Sequence, residues 1–106
     1  MQQSVAELAQ LKGRCADLTL EDTSKVFNTE ILSALELGNM LDVAEAVAVT
    51  ALARRESRGA HACSDYPKRD DQNFLHHSLV FFSPAGPRLA TKPVTITRFQ
   101  PEERKY

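Results

Sequence analysis

Apolar residues in the first third of the chain recur at helical spacing. Val5, Leu8, Leu11, Cys15 and Leu18 fall three and four apart and share one face, which predicts a helix over about Gln3–Asp17. Gly13 weakens that helix by up to ~1 kcal/mol relative to Ala. Leu18–Ser24 reads as a connection. Asn28 is a good N-cap, Glu30 suits the positive end of the helix dipole, and a second helix is expected from there to about Glu56. Gly38-Asn39 interrupts its pattern and points to a kink or break. From Met40 to Ala53 only Asp42, Glu45 and Thr50 are clearly polar. A helix apolar nearly all round needs cover on most sides, and one partner helix with a short hairpin scarcely supplies it. An exposed apolar patch is therefore expected on this helix, with self-association through it.

The pattern changes after residue 56. Residues 57–75 are polar and read as an ordered loop with one short helical turn near Asp71–Leu75, for which Asp70 or Asp71 is the natural N-cap. His77–Phe82 and Pro93–Phe99 are rich in β-branched and aromatic residues and are expected to pair as antiparallel strands. Ser83-Pro84-Ala85-Gly86-Pro87 forms the turn between them, and Pro93 belongs at a strand start or edge. The fold class is α+β: an antiparallel helical hairpin, an ordered loop and a small antiparallel β-hairpin. The segments divide as 1–56 and 57–106.

Charge sharpens that division. The 106 residues carry 13 Lys and Arg against 14 Asp and Glu. Residues 1–53 hold three cations and eight acids, whereas residues 54–106 hold ten cations and six acids, so a near-neutral total conceals halves of −5 and +4. The balance excludes a strongly basic nucleic-acid binder. No apolar run reaches membrane-spanning length, and the N-terminus lacks the pattern of a secretory signal. Cys15 and Cys63 are too few for a disulfide scaffold, which suggests a reducing setting.

Candidate chemistry is sparse. His61, Cys63, His76 and His77 are metal-ligand types, but H-x-C followed by an adjacent His pair is not a zinc spacing. Neighbouring residues on a strand also point to opposite faces. Cys63 lacks the local signature of a thiol nucleophile. Gly13, Gly38, Gly59 and Gly86 are scattered, so no phosphate-cradling fingerprint is present. The Arg54–His61 block is the most distinctive stretch. Its guanidiniums suit carboxylates and carbonyls, which reads as a clamp pinning a loop to a neighbouring surface, or simply as a solvated helix end.

Glu56-Ser57-Arg58-Gly59-Ala60-His61, Asp65-Tyr66-Pro67, Arg69-Asp70-Asp71, Asn73-Phe74-Leu75 and His77 resemble the C-terminal region of succinate dehydrogenase and fumarate reductase flavoprotein subunits. Asp22-Thr23-Ser24, Phe27-Asn28-Thr29 and Leu35–Asn39 resemble the same family's helical segment, and Lys92–Thr95 with Arg104-Lys105-Tyr106 resemble its C-terminus. The resemblance runs from about Leu11 onward; the first ten residues are not placed by it. Aspartate oxidases and adenylylsulfate reductases share a weaker Glu-Ser-Arg block.

The resemblance implies that the helical hairpin is part of a three-helix bundle. It also implies a parent enzyme that oxidises succinate to fumarate by hydride transfer to FAD and feeds iron–sulfur clusters and quinone. The parent's catalytic and flavin residues lie in earlier domains, so no catalytic, cofactor or metal residue is assigned in this chain. Its implied partners are the flavin-binding domain of the same subunit and the iron–sulfur subunit. Neither nucleic acid nor direct membrane insertion is implied. The setting is the cytoplasmic side, peripheral to the inner membrane. Arg55, Glu56, Arg58, His61, Arg69, Asp70 and Asp71 are the candidate interdomain docking residues. Two departures stand out: Cys63-Ser64 where a charged pair is expected, and Phe74 where Trp is common. A stand-alone interaction or assembly module, or part of an aspartate oxidase, is the competing reading.

Overall fold

A computed structural model describes residues 1–102. In chain order the elements are α1 (Gln2–Ala16), α2 (Thr29–Ala53), α3 (Asp71–Phe74), β1 (His76–Phe81) and β2 (Arg88–Pro93). The chain divides into two compact units, with the boundary inside α2 between Val49 and Thr50.

In the first unit, α1 and the N-terminal part of α2 run antiparallel. Lys12 bonds Asp42 at 2.8 Å and Glu45 at 2.6 Å, while Cys15 and Ala16 share a cleft of about 390 Å³ with Ala34, Leu35 and Gly38, earlier in α2. Asn28 starts α2 as its composition predicts: Ile31 N–H donates to Asn28 Oδ1 at 3.0 Å. The Asn28 amide also donates to the carbonyls of Asp22 (2.8 Å) and Ser24 (3.1 Å). Asp22 and Glu30 complete the connection by accepting from the backbone N–H groups of Ser24 and Asp22. Helix α2 runs unbroken through Gly38-Asn39. The ~1 kcal/mol that one glycine costs is small beside the cooperativity of a 25-residue helix. It stops at Ala53 rather than near Glu56, closing with Arg54 N–H on the carbonyl of Ala51.

In the second unit, β1 and β2 form a two-stranded antiparallel sheet in the register His76↔Pro93, Ser78↔Thr91, Val80↔Leu89 and Phe81↔Arg88. The turn is where the Pro-Gly cluster predicts it, with Gly86 N–H donating to the carbonyl of Ser83 at 2.9 Å. The second strand is not where β-propensity puts it. It starts at Arg88 and ends at Pro93, and Val94–Phe99 lie outside regular structure. Turn length sets hairpin register, so the partner of β1 is the segment just past the turn. Pro93 closes the strand.

Little of this surface is hidden. Among the described residues only Leu41 and Ala48 are buried apolar side chains. The accessible surface is 8975 Å². Two separate compact bodies sharing this mass would together expose only about 7,100 Å².

Candidate functional site

The best-built constellation lies just past the end of α2. Glu56 is completely buried and is the only buried polar side chain among the described residues. Its Oε1 accepts from Arg58 Nε at 2.8 Å and from Arg54 Nη1; its Oε2 accepts from Arg58 Nη2 at 3.1 Å and from the backbone N–H of Asp70 at 2.9 Å. A buried carboxylate is tolerated only when its lone pairs are occupied, and here they are.

Each partner reaches onward. Arg58 Nη2 also bonds Asp71 Oδ1, and Arg69 Nη2 bonds Asp71 Oδ2 at 2.8 Å. Arg54 spans to the sheet, donating to the carbonyls of Phe74 (2.9 Å) and His76 (2.7 Å) and to Ser78 Oγ (3.2 Å). Its guanidinium also lies 5.9 Å from the centroid of the Phe74 ring. Arg69 further donates to the carbonyls of Pro101 and Glu102. The end of α2, the loop, α3 and the start of β1 are thus fastened at one carboxylate.

The loop is shaped to allow this. Arg58 and His61 exchange both backbone hydrogen bonds, at 2.8 and 3.0 Å. Gly59 makes the reversal at φ +57°, where a side chain would be strained. Ser57 Oγ donates to the carbonyls of Cys63 and Tyr66 and accepts from the N–H of Cys63. Asp70 caps α3, accepting from the N–H groups of Gln72 and Asn73 at 3.0 Å each.

Electrostatics follow the geometry. Burial alone would push the Glu56 carboxyl up, but donation from Arg58, from the Asp70 N–H and from Arg54 outweighs it and holds the group below the usual carboxylate range. Arg58 is held more firmly protonated, first by Glu56. Asp71 is lowered chiefly by Arg58, and Asp70 chiefly by the Asn73 side chain.

Six of the seven expected site residues therefore come together: Glu56, Arg58, Arg69, Asp70 and Asp71 in the carboxylate network, and His61 beside it with Nε2 3.2 Å from the carbonyl of Arg54. Arg55 does not join them and is exposed. The arginine that turns inward is Arg54, which the sequence reading did not include among the docking residues. Two adjacent arginines at a helix end look alike in a sequence, and which one turns inward depends on where the sheet closes. Among the described residues no group of three or more His, Cys, Asp or Glu side chains is arranged to hold a metal ion.

The family model "Fumarate reductase flavoprotein C-term" matches residues 1–106. The chain belongs to that family. It is 48% identical over 107 residues to the fumarate reductase flavoprotein subunit of Haemophilus influenzae, covering all of this chain and 18% of that protein. It is 46% identical over 98 residues to the 8-methylmenaquinol:fumarate reductase flavoprotein subunit of Wolinella succinogenes, covering 92% of this chain and 16% of that protein. Among solved structures, FrdA of Escherichia coli quinol fumarate reductase superposes with a TM-score of 0.90 at 44% identity, covering 96% of this chain and 18% of that one. The chain thus spans less than a fifth of the length of these relatives. The match includes residues 1–10, which the motifs alone leave unplaced.

The family name refers to a flavoprotein. Gly59 is spent on the Arg58–His61 reversal and Gly86 on the hairpin turn; neither opens a helix whose N–H groups could cradle phosphates. No helix among the described residues is long and apolar enough to cross a membrane.

Proposed function

We propose that this chain is the C-terminal region of a longer flavoprotein subunit that interconverts succinate and fumarate by hydride transfer at FAD and exchanges electrons with quinone through iron–sulfur clusters. The flavin and the catalytic residues belong to the preceding part of that subunit. The observation that carries this reading is full-length similarity to fumarate reductase flavoprotein subunits, of which the chain spans only about 18%.

Within the subunit the chain acts as a buttress. The Glu56 network holds the 57–75 loop in a single shape, and Arg55, His61 and the flanks of Arg58, Arg69, Asp70 and Asp71 meet the flavin-binding domain. The iron–sulfur subunit is the second partner, and the assembly sits peripherally on the cytoplasmic side of the inner membrane. The exposed apolar side chains of α2, Met40 and Val43 among them, support this reading, since a self-sufficient domain has no use for such a patch.

The test is expression of the full-length gene product with its partner subunits. Succinate-dependent dye reduction, fumarate-dependent oxidation of a reduced dye and a flavin absorption band are expected. A flavin-free product, or one that oxidises aspartate in place of succinate, overturns the reading.

A further inference from the structure

The one residue other than glycine held at positive φ is Phe27, at +58° among the described residues. A bulky side chain is a genuine outlier there, and strain of this kind persists only where something over-determines it. The surrounding loop supplies the restraint, through Asn28 on the Asp22 and Ser24 carbonyls and Asp22 Oδ1 on the N–H of Ser24. Among the described residues nothing supplies the reward. Phe27 is 95% exposed and Val26 is 80% exposed. The loop is ordered so as to hold a phenylalanine out of the protein.

We propose that Phe27, with Val26 beside it, is an anchor that plugs an apolar pocket in the remaining part of its own flavoprotein chain. This rests on the reading above that such a part exists. Two observations select this occupant. The patch is small: one aromatic and one valine offer roughly 300 Å², whereas a stable complex of separate chains buries about 800 Å² per partner. A contact within one polypeptide needs no such area, because the tether fixes a high effective concentration, and the relatives are more than five times the length of this chain. Charge describes the pocket's rim. Asp17, Glu21, Asp22 and Glu30 flank the loop in sequence, with Lys25 the one cation from residue 17 to residue 30, so the rim that receives it is basic.

The experiment uses the full-length flavoprotein in its assembled complex. Phe27→Gly separates the proposal from a local loop role by sign. Glycine is at ease at φ +58°, so a loop without an outside contact is unchanged or tightened. A loop that has lost its anchor instead exchanges the amides of residues 20–32 at least about tenfold faster, and Phe27→Leu restores protection. A photo-reactive p-benzoylphenylalanine in place of Phe27 is expected to cross-link to an apolar peptide flanked by Lys or Arg on the same polypeptide. Unchanged or slower exchange in Phe27→Gly overturns the proposal, as does cross-linking to a second polypeptide or to lipid. Flavin content and fumarate reduction are measured on the same samples. Their absence counts against the enzymatic assignment and leaves the exchange and cross-link results to judge the anchor.

Discussion

Arg58 grips Glu56 side-on, with Nε at 2.8 Å from one carboxylate oxygen and Nη2 at 3.1 Å from the other, although only Ser57 separates the two residues. Bidentate guanidinium–carboxylate pairing is directional as well as strong. Here it forces the chain to fold back at Gly59, which lines up the loop for Asp70 and Asp71. Glu56→Gln keeps the shape and removes the charge, leaving Arg54 without its carboxylate partner and Arg58 with Asp71 alone. Breaking a buried pair in this way costs about 3–5 kcal/mol. Denaturant unfolding should show a loss of that size, and hydrogen exchange should place it in residues 54–78 and leave α1 unaffected. A loss below ~1 kcal/mol would mean that the network is dispensable.

The same network gives the second unit an acid limit. The carboxyls of Glu56, Asp70 and Asp71 all titrate lower in the folded chain than in the unfolded one. The unfolded state therefore takes up protons first as pH falls. Their stabilisation is complete above the unfolded values near 4 and is lost as pH drops through the folded values. The melting temperature of the second unit should be flat from about pH 7 to 5 and fall steadily below that. A melting temperature that rises on acidification would contradict the assignment.

Asp70 separates capping from charge. Its Oδ1 accepts from two N–H groups at the start of α3, and Oδ2 accepts from the Asn73 amide. Asp70→Ala should lower the melting temperature measurably, whereas Asp70→Asn, an equally good cap, should leave it nearly unchanged. Thermal denaturation of the two variants side by side decides it. Equal losses would show that the charge matters more than the cap.

These residues also show where sequence reasoning reaches its limit. The Asp70 cap, the Asn28 cap and both long helices are local features, so they are visible in spacing and residue type. The position of β2 is not local. Val94-Thr95-Ile96-Thr97 has the stronger strand composition, yet Arg88–Pro93 pairs because it lies next to the turn. The inward turn of Arg54 in place of Arg55 depends on the carbonyls of Phe74 and His76, twenty and more residues away. Buried polar networks of this kind follow from chain closure, which no periodicity encodes.

The first unit has the opposite pH limit. Lys12 is held protonated above its usual 10.5, first by bonding to Asp42 and then to Glu45. A raised folded value stabilises fully below 10.5 and is lost as pH rises through the folded value. Alkaline titration should therefore loosen the α1–α2 pairing while acid loosens the second unit. The pair is partly exposed, so Lys12→Met should cost about 1 kcal/mol or less, and less again in high salt. Hydrogen exchange of α1 at low and high ionic strength reads this out.

The last prediction concerns an exposed apolar flank of α2. Met40, Val43 and Val47 lie three and four residues apart on one flank and are 66%, 64% and 62% exposed. Leu41 and Ala48, on the other flank, are buried. In the isolated chain, Val43→Glu and Val47→Lys fall at exposed positions, so stability should change by no more than about 0.5 kcal/mol. Concentration-dependent self-association, followed by sedimentation, should fall. In the full-length flavoprotein the same substitutions should each cost about 1.5–3 kcal/mol, the worth of a buried valine. An equal effect in both settings would show that this face stays in water. A cost confined to the full-length chain would show that the apolar run from Met40 to Ala53 was selected for a surface outside these residues.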